Sequence, residues 1–454
     1  MESSSPVSLT GIPAGPAGPG PVAPRERIHA LDVARGIAVL GVLLMNIWAF
    51  AGPQAYFDYP VAIADRAGAP VATWALIHTL FEGSQRTLLS ILFGAGALLV
   101  LTRLGTSGEP GTARKVWYRR TFALITFGLV NAYVFLWPAD ILFVYGLAGL
   151  FLYPLHRLGS PALLAIALVA FSVPFALRTV EINNLRVLEA ANAVAEQSLS
   201  QGGELDTAQK DAVAAWKKKL GKARPDPTAP ELADEMRVMQ TGSLGQVAVR
   251  QAGVSIILET IVTLKWWLLD AFAMMIIGLV LCRSGILTRP APTSRYVAMV
   301  VLGFGIGLPL ATWQTATMLA ADFHPLQVEI TKLSYDLRRL AMGIGYLGLI
   351  LWFSQAGFGL RVRQRLAAVG RLALTNYLAQ SILCALIFYG FGLGLYGRVT
   401  GYQLYGVVAL IWALEIAWSS WWLRRFQIGP FEWVWRSLTY GRRQAWRSPG
   451  AATA

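Results

Sequence analysis

Residues 31–54 constrain this chain more than any other stretch. The run is apolar and long enough to cross about 30 Å of hydrocarbon, yet Asp32 and Arg35 stand at its entrance and Asn46 most of the way through. A helix built only for anchorage needs no such groups. Polar side chains within a span are costly and usually face a protein interior or a wet cavity. This helix is therefore expected to form one wall of a site.

Nine more apolar runs follow, and they set the class. With 55% hydrophobic and 14% charged residues in 454, the chain carries less charge than a soluble domain of this length. The fold expected is an all-α polytopic membrane protein with ten spans, near 31–52, 74–101, 119–137, 140–156, 161–178, 257–282, 296–319, 335–354, 372–396 and 403–423. The net charge of +14 comes from short basic clusters between these runs, the pattern of a positive-inside membrane protein and not of a nucleic-acid binder. With the N-terminus inside, the short inner loops hold thirteen basic residues between Arg103 and Arg371, against three outside, Arg66, Lys332 and Arg398. That reads as N-in, C-in.

Residues 1–24 are rich in Ser, Gly and Pro and read as a disordered tail, without the layout of a cleaved signal peptide. A five-helix membrane region follows over 25–178. Residues 179–256 are polar and helix-forming, interrupted by Pro225, Pro227 and Pro230, and form an extracytoplasmic helical loop. A second five-helix region covers 257–440, and 441–454 is a basic cytoplasmic tail. Cys282 and Cys384 belong to no metal-ligand spacing, so neither a disulfide scaffold nor a metal site is expected.

Two sets of polar residues lie inside the spans. His78, Glu82 and Arg86 are spaced four apart, which on one continuous helix gives a single ionisable face. An ion pair of Glu82 with Arg86 lowers the cost of burying both, and a His held by a carboxylate is a general-base arrangement. Its structural counterpart is an ion pair that fixes helix packing. Asn46 lies at similar depth. Asp140, Asp270 and Arg338, with Arg339 beside it, extend this layer into a polar cavity that opens outward. His324 is a second candidate base, though as a loop residue it suits a solvated position. Near the inner face, Asp32, Arg35, Asn376, Gln380 and Glu415 form the other group. There Arg35 and the basic loops suit an anionic ligand such as a phosphate, and Asp32 also suits an N-terminal turn. Gly94 and Gly96 suit a close helix contact.

These residues also carry a resemblance. The opening Leu-Asp-Val-Ala-Arg-Gly at 31–36, with Gly41 and Asn46, resembles the start of the YeiB-like family of bacterial inner-membrane proteins, which carry a domain of unknown function numbered 418. Leu-Phe-Glu-Gly-Ser-Gln-Arg at 80–86 is similar to that family's second helix. Met-Met-Ile-Ile-Gly-Leu at 274–279, with Gly-Ile-Leu at 285–287, is similar to its helix after the long loop. Gly-Arg-Leu-Ala-Leu-Thr-Asn-Tyr-Leu-Ala-Gln-Ser at 370–381 resembles the signature of its C-terminal domain, expected here over about 290–440. The first helix is also similar to that of heparan-α-glucosaminide N-acetyltransferase and, more distantly, other transmembrane acyltransferases.

That resemblance implies a membrane acyltransferase with acyl-CoA as cytoplasmic donor. Asp32, Arg35 and Asn376 would serve the donor, and Arg86, Asp140, Asp270 and Arg338 the substrate. His78, Glu82 and Asn46 would be catalytic. The acetyltransferase carries its catalytic His in the first outer loop, whereas residues 52–73 here contain none, so His78 or a carboxylate takes that place. The acceptor would be a small molecule or an envelope glycan. Membrane lipids are the other expected partners, nucleic acid is not, and homo-oligomerisation is compatible with this reading. The same polar layer would also suit a transporter of a small anionic or amphipathic solute, and the long loop a scaffold or sensor.

Overall fold

Each apolar run is helical, because a backbone in hydrocarbon must satisfy its own hydrogen bonds. The computed structural model describes residues 29–62, 68–107 and 111–447, and no strand occurs among them. The N-terminal tail 1–24, Asp65, Arg66 and the last seven residues lie outside the described residues.

The first part comprises α1 (His29–Ala51), the short α2 (Gln54–Asp58), α3 (Ala69–Phe81), α4 (Ser84–Ser107), α5 (Thr112–Tyr133) and α6 (Ile141–Leu155). Next come α7 (Ser160–Ser200), α8 (Thr207–Ala223), α9 (Pro230–Thr241) and α10 (Leu244–Ile257). A π-helical stretch, Leu258–Trp267, leads into α11 (Leu268–Arg283). The rest is α12 (Thr293–Ala320), α13 (Pro325–Thr331), α14 (Tyr335–Gln355), α15 (Leu360–Arg371), α16 (Ala373–Phe388), α17 (Gln403–Trp422) and α18 (Pro430–Tyr440).

Six helical segments among the described residues are long and apolar enough to cross a membrane, seven if α15 and α16, bent by 79°, count as one span. This is the architecture of a membrane protein. A helix stands at each of the ten expected positions, but three fall short by length or composition. Helix α6 has 15 residues. Helix α5 begins with Arg114, Lys115, Arg119 and Arg120, and α14 carries Asp336, Arg338 and Arg339.

The span expected at 161–178 does not stop there. Helix α7 runs 41 residues without a break, about 60 Å at 1.5 Å per residue. Its far half carries α8, joined by Lys219–Glu181 at 2.6 Å. Asp206 caps α8 with a reciprocal Gln209 bond, and Pro230 opens α9 at a position where its missing N–H costs nothing. The polar stretch between the two membrane regions is thus a helical lobe. Arg224 ties it to the α12–α13 turn by donating to the Asp322 carbonyl at 2.6 Å.

Glycines set the helix crossings, the usual device where lipid offers no hydrophobic drive for association. A Cβ on Gly36 would lie 2.0 Å from the Leu366 carbonyl oxygen, and one on Gly370 would lie 1.9 Å from that of Asp32. Helices α1 and α15 therefore cross backbone to backbone. Gly94 and Gly278 do the same for α4 and α11, with Met275 O and Ile91 O at 1.9 and 2.0 Å. Gly96, expected to share that contact, meets nothing within 4 Å.

Candidate functional site

The expected helix over 74–101 breaks where the site begins. Helix α3 ends at Phe81 and α4 starts at Ser84. Gly83 between them has φ +71°, and a Cβ there would sit 2.7 Å from the Tyr335 hydroxyl. Only glycine meets both demands without strain. The break places Glu82 on the wall of a cavity of about 220 Å³. Asn46 and Trp48 from α1, Gln54 and Phe57 from α2, Arg86, Tyr145, Trp267 and Asp270 share that wall. Of the expected site residues, the cavity gathers Asn46, Glu82, Arg86 and Asp270.

The break also changes the expected pairing. Glu82 and Arg86 form no ion pair. The Tyr335 hydroxyl donates to Glu82 Oε1 at 2.7 Å, and Arg338 Nη2 donates to the Glu82 carbonyl at 2.9 Å. Arg86 faces Asp270 on α11, Nη2 to Oδ2 at 3.4 Å, with Trp267 under its guanidinium at 5.9 Å. Arg339 also holds Asp270, donating from Nη1 to Oδ2 at 2.7 Å and pairing through Nη2 with Oδ1. Its Nη2 also reaches Asp336 at 3.0 Å. Arg86, Arg338 and Arg339 thus stand against Glu82, Asp270 and Asp336. Tyr145 anchors the far wall by donating to the Arg86 carbonyl at 3.0 Å.

The remaining residues lie elsewhere. His78 does not line the cavity. Its Nδ1 is 2.9 Å from Thr315 Oγ1 on α12, and its ring stacks on Trp74 with centroids 4.7 Å apart. No hydrogen bond joins it to the Glu82 side chain. Asp140 caps α6 behind the wall formed by Ala139 and Ile141, accepting from Phe143 N and Asn131 Nδ2, each at 2.7 Å, and from the Tyr377 hydroxyl at 3.3 Å. Arg338 is fully buried beside Tyr335, with Nε and Nη1 unpartnered. His324 lies in the α12–α13 turn and packs against the helical lobe, 3.4 Å from Glu189 and beside Trp216.

The inner group is a separate cluster. Arg35 pairs with Asp32 at 2.9 Å within the first turns of α1. Asn376 donates to Ser419 at 2.9 Å and Gln380 to Glu415 at 3.0 Å, two rungs between α16 and α17. Arg35 and Asn46 are eleven residues apart on α1, about 16 Å along its axis. Among the described residues no group of His, Cys, Asp and Glu suits a metal ion.

Sequence reading did not single out Tyr335, Asp336 or Trp267. Nor did it mark Gln251, Ser255, Glu259 and Thr263, all buried, which recur every four residues through α10 and the π stretch. That period was the available signal. It straddles the edge of an expected span, where polar residues attract no notice.

Residues 281–442 match the family described as "Protein of unknown function (DUF418)". The chain is 29% identical to "Uncharacterized protein YeiB" of Escherichia coli (strain K12), over 91% of this chain and 96% of that protein. It is 28% identical to "Uncharacterized protein YxaH" of Bacillus subtilis (strain 168), over 92% and 96% respectively. No solved structure matches. The family match over residues 281–442 and the near full-length relatives together make this a YeiB-like chain that carries a DUF418 region.

Proposed function

We propose that the chain is a multi-pass protein of the bacterial inner membrane, with ten crossings and both termini cytoplasmic, and that it is an acyltransferase. The charge asymmetry of the short loops supports the orientation. One observation carries the enzymatic reading: the helix break at Gly83 presents the Glu82 carboxylate to a cavity that also holds Asn46 and Arg86. Glu82 takes the proton from an acceptor hydroxyl or amine. The acceptor atom then bonds to the thioester carbonyl carbon, and Asn46 and Arg86 donate to the oxyanion. The C–S bond breaks, and the leaving thiolate takes the proton that Glu82 had accepted, which restores the carboxylate. His78, held by Thr315, has no step in this scheme. Arg35 and the basic inner loops would meet the donor's phosphates, so the acyl carbon must reach about 16 Å along α1.

A second reading is a solute transporter. It draws on the interrupted helices at the cavity, the break at Glu82–Gly83 and the π stretch ending at Trp267, since discontinuous helices serve binding sites in transporters. Purified protein separates the two. The enzyme binds CoA, and Glu82→Gln abolishes acyl transfer while leaving CoA binding intact. Absence of CoA binding sinks the acyltransferase. Uptake into liposomes without a donor supports transport.

A further inference from the structure

Behind the cavity wall lies a second polar cluster that the proposed chemistry does not use. Gln251, Ser255, Glu259 and Thr263 form one buried stripe facing the α5–α6 turn. Gln251 fixes that approach by donating to the Leu136 carbonyl at 3.3 Å and to the Tyr389 hydroxyl at 2.8 Å. On the other side stand Asn131 and Asp140, both buried, and the Tyr133 hydroxyl bonds the Glu259 carboxylate.

Two features of this cluster are unbalanced. Two carboxylates are buried together, and among the described residues no Arg, Lys or His pairs with either. An uncompensated buried carboxylate is among the most costly arrangements in a protein. In addition, Asn131 Oδ1, Ser255 Oγ and Glu259 Oε1 are buried oxygen atoms without a hydrogen-bond partner. Buried polar atoms are otherwise almost always satisfied. Donors already occupy the Asp140 carboxylate: Asn131, Phe143 N and the Tyr377 hydroxyl. Among the described residues, Glu259 has only the Tyr133 hydroxyl as donor and none at Oε1, which makes it the less satisfied of the two carboxylates.

We infer that Asn131, Asp140, Ser255 and Glu259 form a buried site for a monovalent cation, either a sodium ion or a proton. Oxygen ligands suit a hard cation, and one carboxylate oxygen without a donor suits a single charge. Ala139 and Ile141, the neighbours of Asp140, line the cavity, so occupancy sits one residue behind that wall.

The full chain, purified in nanodiscs, tests this with sodium chloride exchanged against choline chloride at constant ionic strength. If the cation is sodium, the melting temperature rises with sodium, by roughly 2 °C at about ten times the dissociation constant. Glu259→Gln removes the rise and Ser255→Ala weakens it, while Glu231→Gln, exposed on α9, leaves it intact. If the cation is a proton, sodium has no effect. Infrared spectra then show a protonated-carboxyl band that disappears on alkaline titration and is missing in Glu259→Gln. The site is overturned if neither the sodium-dependent shift nor a band removed by Glu259→Gln is found. Should Glu259→Gln not fold, Ser255→Ala still decides the sodium arm, and Asn131→Leu the infrared arm through a shift of the carboxyl band.

Discussion

Asp270 is the joint of the cavity's charge network, and removing it tests the site's energetics directly. Its side chain is 9% exposed and its partner Arg339 only 1%. Breaking a buried pair by deleting one partner costs about 3–5 kcal/mol, because the other charge stays buried and uncompensated. Arg339 keeps Asp336 at 3.0 Å, which offsets part of the loss, whereas Arg86 keeps no carboxylate within ion-pair distance. Asp270→Ala should therefore cost about 3 kcal/mol, the low end of that range and roughly a hundredfold in the folding equilibrium. Equilibrium unfolding in mixed micelles reads this. Asp270→Leu combined with Arg339→Met leaves no buried charge in the pair and should recover about 2 kcal/mol of coupling. A loss below about 1 kcal/mol, the range of an exposed ion pair, would refute the buried network. So would a double variant no more stable than the sum of its parts.

Gly36→Ala and Gly370→Ala each force a Cβ onto a carbonyl oxygen at the α1–α15 crossing, so each should cost about 1–3 kcal/mol in thermal unfolding, while Gly96→Ala should be neutral. His78→Ala loses the Thr315 bond and the Trp74 stack, and should lower stability by about 1–3 kcal/mol yet retain acyl transfer, whereas Glu82→Gln should keep stability and lose about 10²–10⁴ in turnover. Equal loss of turnover in both would return the base to His78. Glu432 on α18 caps α16, accepting from Leu374 N at 2.7 Å and from Thr375 N at 3.0 Å. Burial outweighs these bonds and lifts its carboxyl above the ordinary 4.5. The folded state then holds this proton more tightly than the unfolded one, so the group adds stability as pH falls from above the raised value toward 4.5. Glu432→Gln should flatten that part of the stability–pH curve, and an unchanged slope would count against it.

Helical class and the placement of apolar runs were legible because both follow from composition over long windows. Gly94 was legible for the same kind of reason, since a small residue in a span signals close approach. The pairing of ionisable residues was not. The four-residue spacing of His78, Glu82 and Arg86 promises one face only while the helix continues. At Gly83 it stops, and the three side chains part: His78 to Thr315, Glu82 to Tyr335, Arg86 to Asp270. Nothing local to residues 78–86 encodes those partners, because they come from α12, α14 and α11. Gly83 was visible as a glycine, but neither its positive φ nor the Tyr335 hydroxyl lying where a Cβ would go can be read locally.

Helix α1 shows why a single span can carry two kinds of polar residue. At its N-terminal end Gly36 brings its backbone onto α15, and Asp32 supplies both a carbonyl against Gly370 and a carboxylate to Arg35. That end is a packing joint first. At the other end no glycine of α1 meets a neighbouring helix backbone. Asn46, Trp48 and Ala49 face open volume, with the Trp48 ring nitrogen tied to Tyr405 at 2.9 Å. A crossing that locks one end of a rigid helix also sets the position of the other. A shift of α1 at Gly36 therefore moves Asn46 against Glu82 in the α3–α4 break and Arg86 on α4. The glycine variants should accordingly impair acyl transfer more than their stability loss explains, measured as activity per folded molecule. Full activity in the folded fraction would mean that the two ends of α1 are mechanically independent.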